Sequence, residues 1–334
     1  MNISAIENIN TESFAIDEDT KVLKEFAPLV YLHSDEHHFP SSVSWYLERT
    51  ALKVKGKTKG AIAWQKKYGR QGDVKLNEET LDFIKTYNIG DEEELRLEIL
   101  KKFGGSHGSA IRGDLSTAEC YAYINRTKAS YNELSYWFFY PFNGNIATVG
   151  KFGLHQGDWE HITIRADKSN SKILEVLFAA HGKEEWKWYP SNHKHLTFAD
   201  RAKKHLIVYS AKHSHASYPT IGKHLRGHKF GLKGAFSPDR TNKGKKWETW
   251  KKLVNVGYDR DLSTYRPSNN AFWMQYPGLW GKLGSDNIFL VSDITGQRKY
   301  VPGPKGPAYH SRWASGELLG EYYDKATLPS SYRF

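Results

Sequence analysis

An antiparallel two-sheet β-sandwich with helical insertions is the mainly-β fold class that this 334-residue sequence predicts. Three observations carry the prediction. Aromatic residues make up 14% of the chain, with 11 Trp and 20 Tyr, a supply that suits sheet faces better than helix bundles. From Leu134 onward, short apolar runs separated by Gly, Pro, Asn and Asp dominate. Those runs do not alternate regularly with helical patterns, which argues against a parallel α/β sheet. With 39% hydrophobic and 25% charged residues, neither disorder nor a coiled coil is favoured. The length suffices for a substantial core in a single domain over 21–334.

Residues 1–20 are polar and acidic and read as a flexible leader. They lack the basic start and apolar stretch of a signal peptide. No run of about 18 apolar residues supplies a membrane-spanning helix. Residues 23–48, rich in Val, Tyr, Phe and Trp and broken at His33-Ser34-Asp35-Glu36, suggest short strands and turns. Residues 51–75 are rich in Lys and Gly and suggest an exposed excursion. Two helices are expected next, within a helical insertion near 51–115. The first starts from a cap at Asn77 and carries Leu81, Phe83 and Ile84. The second opens at Asp91, carries Leu95, Leu97, Ile99 and Leu100, and stops at Gly104-Gly105. The strand candidates after that are Leu134–Phe142, Trp159–Arg165, Ile173–His181, Leu206–Ala211, Ala271–Tyr276 and Asn287–Val291.

One cysteine, Cys120, leaves no disulfide framework. A cytoplasmic protein, or one secreted without a signal peptide, is therefore expected. The net charge of +11 is unevenly placed. Residues 191–252 hold 15 Lys and Arg against three acids, and seven of the 15 histidines; the remainder is 33 against 34. A local cationic surface suits an anionic lipid head group, a phosphate-bearing substrate or nucleic acid; the bland reading is a solvated basic face.

The stretch richest in chemistry is His155-Gln156-Gly157-Asp158-Trp159-Glu160-His161-Ile162-Thr163-Ile164-Arg165. On a strand, Asp158 and Glu160 share a face with Ile162 and Ile164, while His161 takes the other. Two carboxylates directed together toward a core repel and need a cation or basic partners. His155 lies just upstream, across Gly157, where the chain can turn sharply. One imidazole and two carboxylates in the pattern His-x-x-Asp-x-Glu suit Mg, Ca, Mn or Zn. His213 and His215 follow the strand-like Leu206–Ala211, and His181 ends Ile173–Ala180. The expected metal ligands are therefore His155, Asp158, Glu160, His181 and His213, with His161 and His215 as candidate general bases. No P-loop, Gly-x-Gly-x-x-Gly or Gly-x-Ser-x-Gly motif occurs.

Several blocks resemble the vacuolar protein sorting-associated protein 62 family. They are Ala27 to His33, Phe39-Pro40-Ser41-Ser42-Val43, His155 to His161, His181-Gly182, Val208 to Ala211 with His215 to Pro219, and Gly303 to Ala308. This resemblance implies a fold more than a reaction. A more distant likeness is to the necrosis- and ethylene-inducing-peptide-like cytolysins. There an aromatic strand, here resembled by Tyr136 to Pro141, precedes a Gly-His-Arg-His-Asp-Trp-Glu motif on a β-sandwich. That likeness implies His155, Asp158 and Glu160 as holders of a divalent cation used at a membrane surface. The sequence departs from that pattern at Asn143, where an Asp is usual, and at Leu154 and Gly157.

Three functions remain open on this reading. One is a divalent-cation-dependent protein acting on a phosphate-bearing or lipid target, a toxin or effector. Another is a non-enzymatic lipid- or glycan-binding module with a bridging cation and peripheral membrane contact. The third is a trafficking protein with a structural ion.

Overall fold

The computed structural model describes residues 18–69, 72–90, 95–104, 108–146, 153–180, 187–225, 238–257, 271–282 and 303–309. Its centre is an antiparallel pair of thirteen-residue strands, β5 (Tyr131–Asn143) and β6 (His155–Asp167). They pair from Tyr131↔Asp167 to Asn143↔His155. The strands β4 (Cys120–Asn125), β7 (Ile173–Phe178), β8 (Lys187–Pro190) and β14 (Leu253–Asn255) extend this pair to six, in the order β14-β4-β5-β6-β7-β8. A four-stranded sheet has the order β10-β9-β1-β13, from Ser217–Tyr218, Ile207–Ser210, Leu29–Tyr31 and Lys246–Glu248. Two small sheets are β2 (Thr50–Val54) with β3 (Leu95–Ile99), and β11 (Gly222–His224) with β12 (Asp239–Thr241). The chain is thus mainly β and spread over several sheets, and among the described residues no sheet closes into a barrel.

The core explains why the aromatic run reads as continuous rather than alternating. One face of β5 and β6 (Tyr136, Phe138, Tyr140, Ile162, Ile164) is buried with Val30, Val208 and Trp247 of the four-stranded sheet. The other face (Trp137, Phe139, Trp159) is buried with residues of β2, β3 and the helices α2 (Val43–Arg49), α3 (Lys59–Tyr68) and α4 (Glu78–Thr86). A strand covered on both faces need not alternate apolar with polar residues.

The strands expected over 134–142, 159–165 and 206–211 coincide with β5, β6 and β9, and the one expected over Ile173–His181 is β7 as far as Phe178. Asn77 caps α4 in a reciprocal box with Thr80. The helix expected to carry Leu95 to Leu100 is instead the strand β3. Leu95, Leu97 and Ile99 recur with period 2, and all five residues pair with β2, so pairing overrides the helical reading. Ala271–Tyr276 is a 3₁₀ turn rather than a strand. Residues 18–26 form a helix, α1, with Leu23 and Phe26 fully buried, where leader and strand were expected. The Lys/Gly-rich excursion contains α3, capped by Thr58 and anchored by buried Trp64. His181, the start of the expected second helix and Asn287–Val291 lie outside the described residues.

Among the described residues no helix is long and apolar enough to cross a membrane.

Candidate functional site: a buried histidine–carboxylate cluster

The start of β6 sets one wall of the site. Gly157 interrupts the strand with φ of +65°, and a Cβ there would lie 2.3 Å from the Trp280 carbonyl oxygen. Only glycine combines that conformation with so close an approach. The turn places His155 and Asp158 side by side. His155 Nδ1 lies 2.6 Å from the Gly157 carbonyl oxygen. A carbonyl only accepts, so Nδ1 carries the proton and donates it. In the neutral ring, Nε2 then presents a bare lone pair, 3.9 Å from Asp158 Oδ1.

The second wall is the turn after β9. His213 and His215 both adopt left-handed backbone, at φ of +69° and +58°. Such residues cost about 1–3 kcal/mol each and persist where the surroundings over-determine them. The surroundings here do so. His215 is fully buried, donates through Nδ1 to Asp158 Oδ2 at 2.8 Å, and stacks on Tyr140 at 3.8 Å with rings 5° from parallel. Among the described residues its Nε2 has no hydrogen-bond partner, and it faces Glu36 Oε2 at 3.8 Å. His213 Nδ1, likewise buried with no hydrogen-bond partner among the described residues, faces Glu36 Oε1 at 3.9 Å.

Glu36 forms the floor, and its carboxylate is buried. It accepts backbone N–H bonds from His37 and His38 at 2.8 Å and from His213 at 2.6 Å. Burial pushes its pKa up, but the His215 ring and the N–H donors of His213 and His38 outweigh burial, and the net direction is down. Burial holds His213 well below the ordinary histidine value, at about 4, with Glu36 pulling the other way. Tyr140 is pushed far up by burial. Its Ser210 hydrogen bond opposes this, and the carboxylates of Glu160, Asp158 and Glu36 add to it. Three carboxylates and two histidines therefore gather around Tyr140 and His215.

Among the sequence candidates, His155, Asp158 and His215 come together, and His213 joins them through Glu36. Glu160 is half-buried, on Asp158's face by strand parity. His161 is on the opposite face, buried against Trp137 with ring centroids 4.3 Å apart; it is not beside the cluster, because side chains alternate along β6. Cys120 is buried in the core, and burial pushes its thiol far up, which makes it inert. Sequence reasoning missed Glu36 and Tyr140. The run Asp35-Glu36-His37-His38 held a signal for the first, an acid set among histidines.

The donors suit a loosely held divalent cation. Two ligands of one ion, each about 2.1 Å from it, lie at most about 4.2 Å apart, and His155 Nε2 and Asp158 Oδ1 are 3.9 Å apart. Each has the outer partner typical of ligands, the Gly157 carbonyl for His155 and the His215 ring for Asp158. Among the described residues no set of three or more His, Cys, Asp or Glu is arranged to hold a metal ion. Any cation here would take only part of its shell from these residues.

Fold and site together define a mainly-β protein with a buried histidine–carboxylate cluster at the end of its central strands. The profile of the family described as Vacuolar protein sorting-associated protein 62 matches residues 1–285, and the chain belongs to that family. Two Saccharomyces cerevisiae relatives carry vacuolar protein sorting-associated names. TDA6 is 23% identical over 84% of this chain and 64% of its own length. Vacuolar protein sorting-associated protein 62 is 23% identical over 88% of this chain and 68% of its own. The chain thus spans just under two thirds of TDA6. Solved structures overlap it more loosely. Necrosis and Ethylene inducing Protein 2 from the causal agent of cocoa's Witches Broom disease gives a TM-score of 0.30 at 18% identity, covering 60% of this chain and 67% of that one. NLPPya in complex with mannosamine gives 0.27 at 13%, covering 72% and 90%.

Proposed function

We propose that this chain is a head-group-binding module in which His155 and Asp158 take a divalent cation (Mg, Ca, Mn or Zn) that bridges to a phosphate- or hydroxyl-bearing lipid or glycan. One observation carries the reading. His155 Nε2 and Asp158 Oδ1 face each other as two electron-pair donors across 3.9 Å, each fixed from behind. A cation between them satisfies both, and supplies open positions for oxygen ligands. Mg in particular is commonly bound through one or two carboxylates plus substrate phosphates. Glu160 and His181 are the further residues that would complete the shell.

A binding role is favoured over an enzymatic one because the two candidate general bases are poorly placed for catalysis. His161 is on the far face, and His215 is fully buried with its Nδ1 committed to Asp158. A second reading, a cation-dependent toxin or effector acting chemically on a phosphate-bearing or lipid target, rests on His213. Its depressed pKa leaves a neutral imidazole with an unpartnered Nδ1. The third, a sorting protein with a purely structural ion, draws on the relatives' description.

Thermal melts and binding to panels of soluble lipid head groups and glycans, with and without chelator, test the proposal. A cation bound only by the folded state at a hundredfold excess over Kd stabilises it by about 2.7 kcal/mol, so chelation should lower the melting point and abolish head-group binding. Asp158→Asn should bind no soluble head group and respond little to chelator. Identical melts and identical binding with and without chelator would overturn it. Turnover of a phosphodiester or lipid ester would select the second reading; a chelator-sensitive melt with unaffected binding would select the third.

A further inference from the structure

The two-stranded β11–β12 hairpin carries a surface that nothing in the cluster explains. Ile221 and Leu225, which flank β11, are 57% and 86% exposed, and Lys223 between them is also exposed. Of the other parity, Gly222 is exposed and His224 is half-buried. His224 stacks on Tyr218 at 3.9 Å, and its Nε2 lies within 3.1 Å of Thr220 O and Thr241 Oγ1. In the hairpin register Lys223 sits directly opposite Arg240, which is exposed as well. Among the described residues neither side chain makes an ion pair. Like charges directly opposite each other on a strand pair destabilise it. An isolated exposed apolar residue is ordinary. Two of them within five residues, bracketing an unneutralised cross-strand pair of cations, are a different matter.

We infer that this hairpin docks the protein on an anionic membrane, with Lys223 and Arg240 against lipid phosphates and Ile221 and Leu225 entering the head-group layer. Charge complementarity and the pattern of exposure argue for lipid as the occupant. A protein partner for a basic patch would bring acids to discrete positions. An anionic bilayer neutralises any exposed cation and also accepts flanking apolar side chains.

The hairpin is also wired to the cluster. The Asp239 carboxylate accepts from Ser214 Oγ and from Tyr218 Oη, each at 2.7 Å. The Lys212 N–H donates to Arg240 O at 2.9 Å. Ser214 lies between His213 and His215, so docking the hairpin would hold the histidine turn at a fixed place relative to the bilayer. The inference stands on the hairpin's own residues and does not need a cation at His155 and Asp158.

Co-sedimentation with phosphatidylcholine vesicles, and with vesicles of phosphatidylcholine and phosphatidylserine at roughly three to one, tests it across a salt series. The full chain should bind the anionic vesicles, bind neutral ones far more weakly, and lose binding steeply with salt. Each basic residue near an anionic surface is worth roughly fivefold in affinity. Lys223→Ala with Arg240→Ala should therefore weaken binding about 25-fold. Ile221→Ser with Leu225→Ser should weaken it while leaving the salt slope unchanged. Both doubles change exposed side chains, and a thermal melt matching the parent would show that they fold. Equal binding to both vesicle types, or parental binding by either double, would overturn the inference. So would binding to heparin but not to vesicles, which would assign the patch to a soluble polyanion. The hairpin and the cluster fail separately. Asp158→Asn should keep its affinity for phosphatidylserine vesicles if docking is the hairpin's work. If it loses vesicle binding while both hairpin doubles retain it, the cluster is the docking site and the hairpin is not.

Discussion

Glu36→Ala probes the floor of the cluster most directly. The Glu36 carboxylate accepts three backbone N–H bonds, from His37, His38 and His213, and faces both His213 and His215. Hydrogen bonds to a charged acceptor contribute about 1.5–3 kcal/mol each, but they share one side chain and do not add. Removing one partner of a buried charge arrangement costs about 3–5 kcal/mol. We take that range, since the side chain is only 1% exposed. At about 2 °C per kcal/mol for a chain of this size, the melting point should fall by roughly 6–10 °C. Glu36→Gln supplies the control. It keeps one oxygen to accept from His37 and His38, but turns an NH₂ toward the His213 N–H, donor against donor. It should lose about 1.5–3 kcal/mol, less than alanine. Differential scanning calorimetry reads both variants. An alanine variant that melts with the parent, or a glutamine variant less stable than the alanine one, would refute the account of Glu36 as the acceptor that holds the His213–His215 turn in its left-handed conformation.

Other outcomes follow from single contacts. Gly157→Ala should cost about 3 kcal/mol or more by urea titration, since it adds left-handed strain to a clash with Trp280; parental stability would contradict the close approach. His161→Ala should cost about 1–3 kcal/mol of stability through its Trp137 contact, yet leave the chelator response unchanged; a lost response would put His161 on the wrong face. Asp167 has its carboxyl held far below the usual range. Slight burial opposes this, but the Ser169 and Ser171 hydroxyls and the Lys172 and Ser171 N–H groups outweigh it. With the folded value below the unfolded one, its stabilisation is full above about pH 4 and is lost as pH falls through the folded value. Asp167→Asn should flatten the acid limb of stability measured below about pH 4; an unchanged limb would refute this.

What the sequence determined by itself was what period and local chemistry carry. β5 and β6 were legible because their apolar runs are long, and the shared face of Asp158 and Glu160 because strand alternation is a local rule. The Asn77 cap was legible because a capping box closes within four residues. The parity rule also separated His161 from Asp158, but parity does not say which face holds the chemistry. Tertiary structure decided that. Leu95 to Ile99 satisfied a helical and a strand reading alike until pairing with β2 selected the strand. Glu36 is 177 residues from His213, and His215 is 57 from Asp158. Contacts at such separations depend on how the sheets pack, and no local pattern reports them. The cluster's ligand-like half, His155 with Asp158, was therefore written in one short motif. The half that holds it in place, Glu36 and the strained turn at His213 and His215 around Tyr140, exists only because folding brings two distant segments to the same two strands.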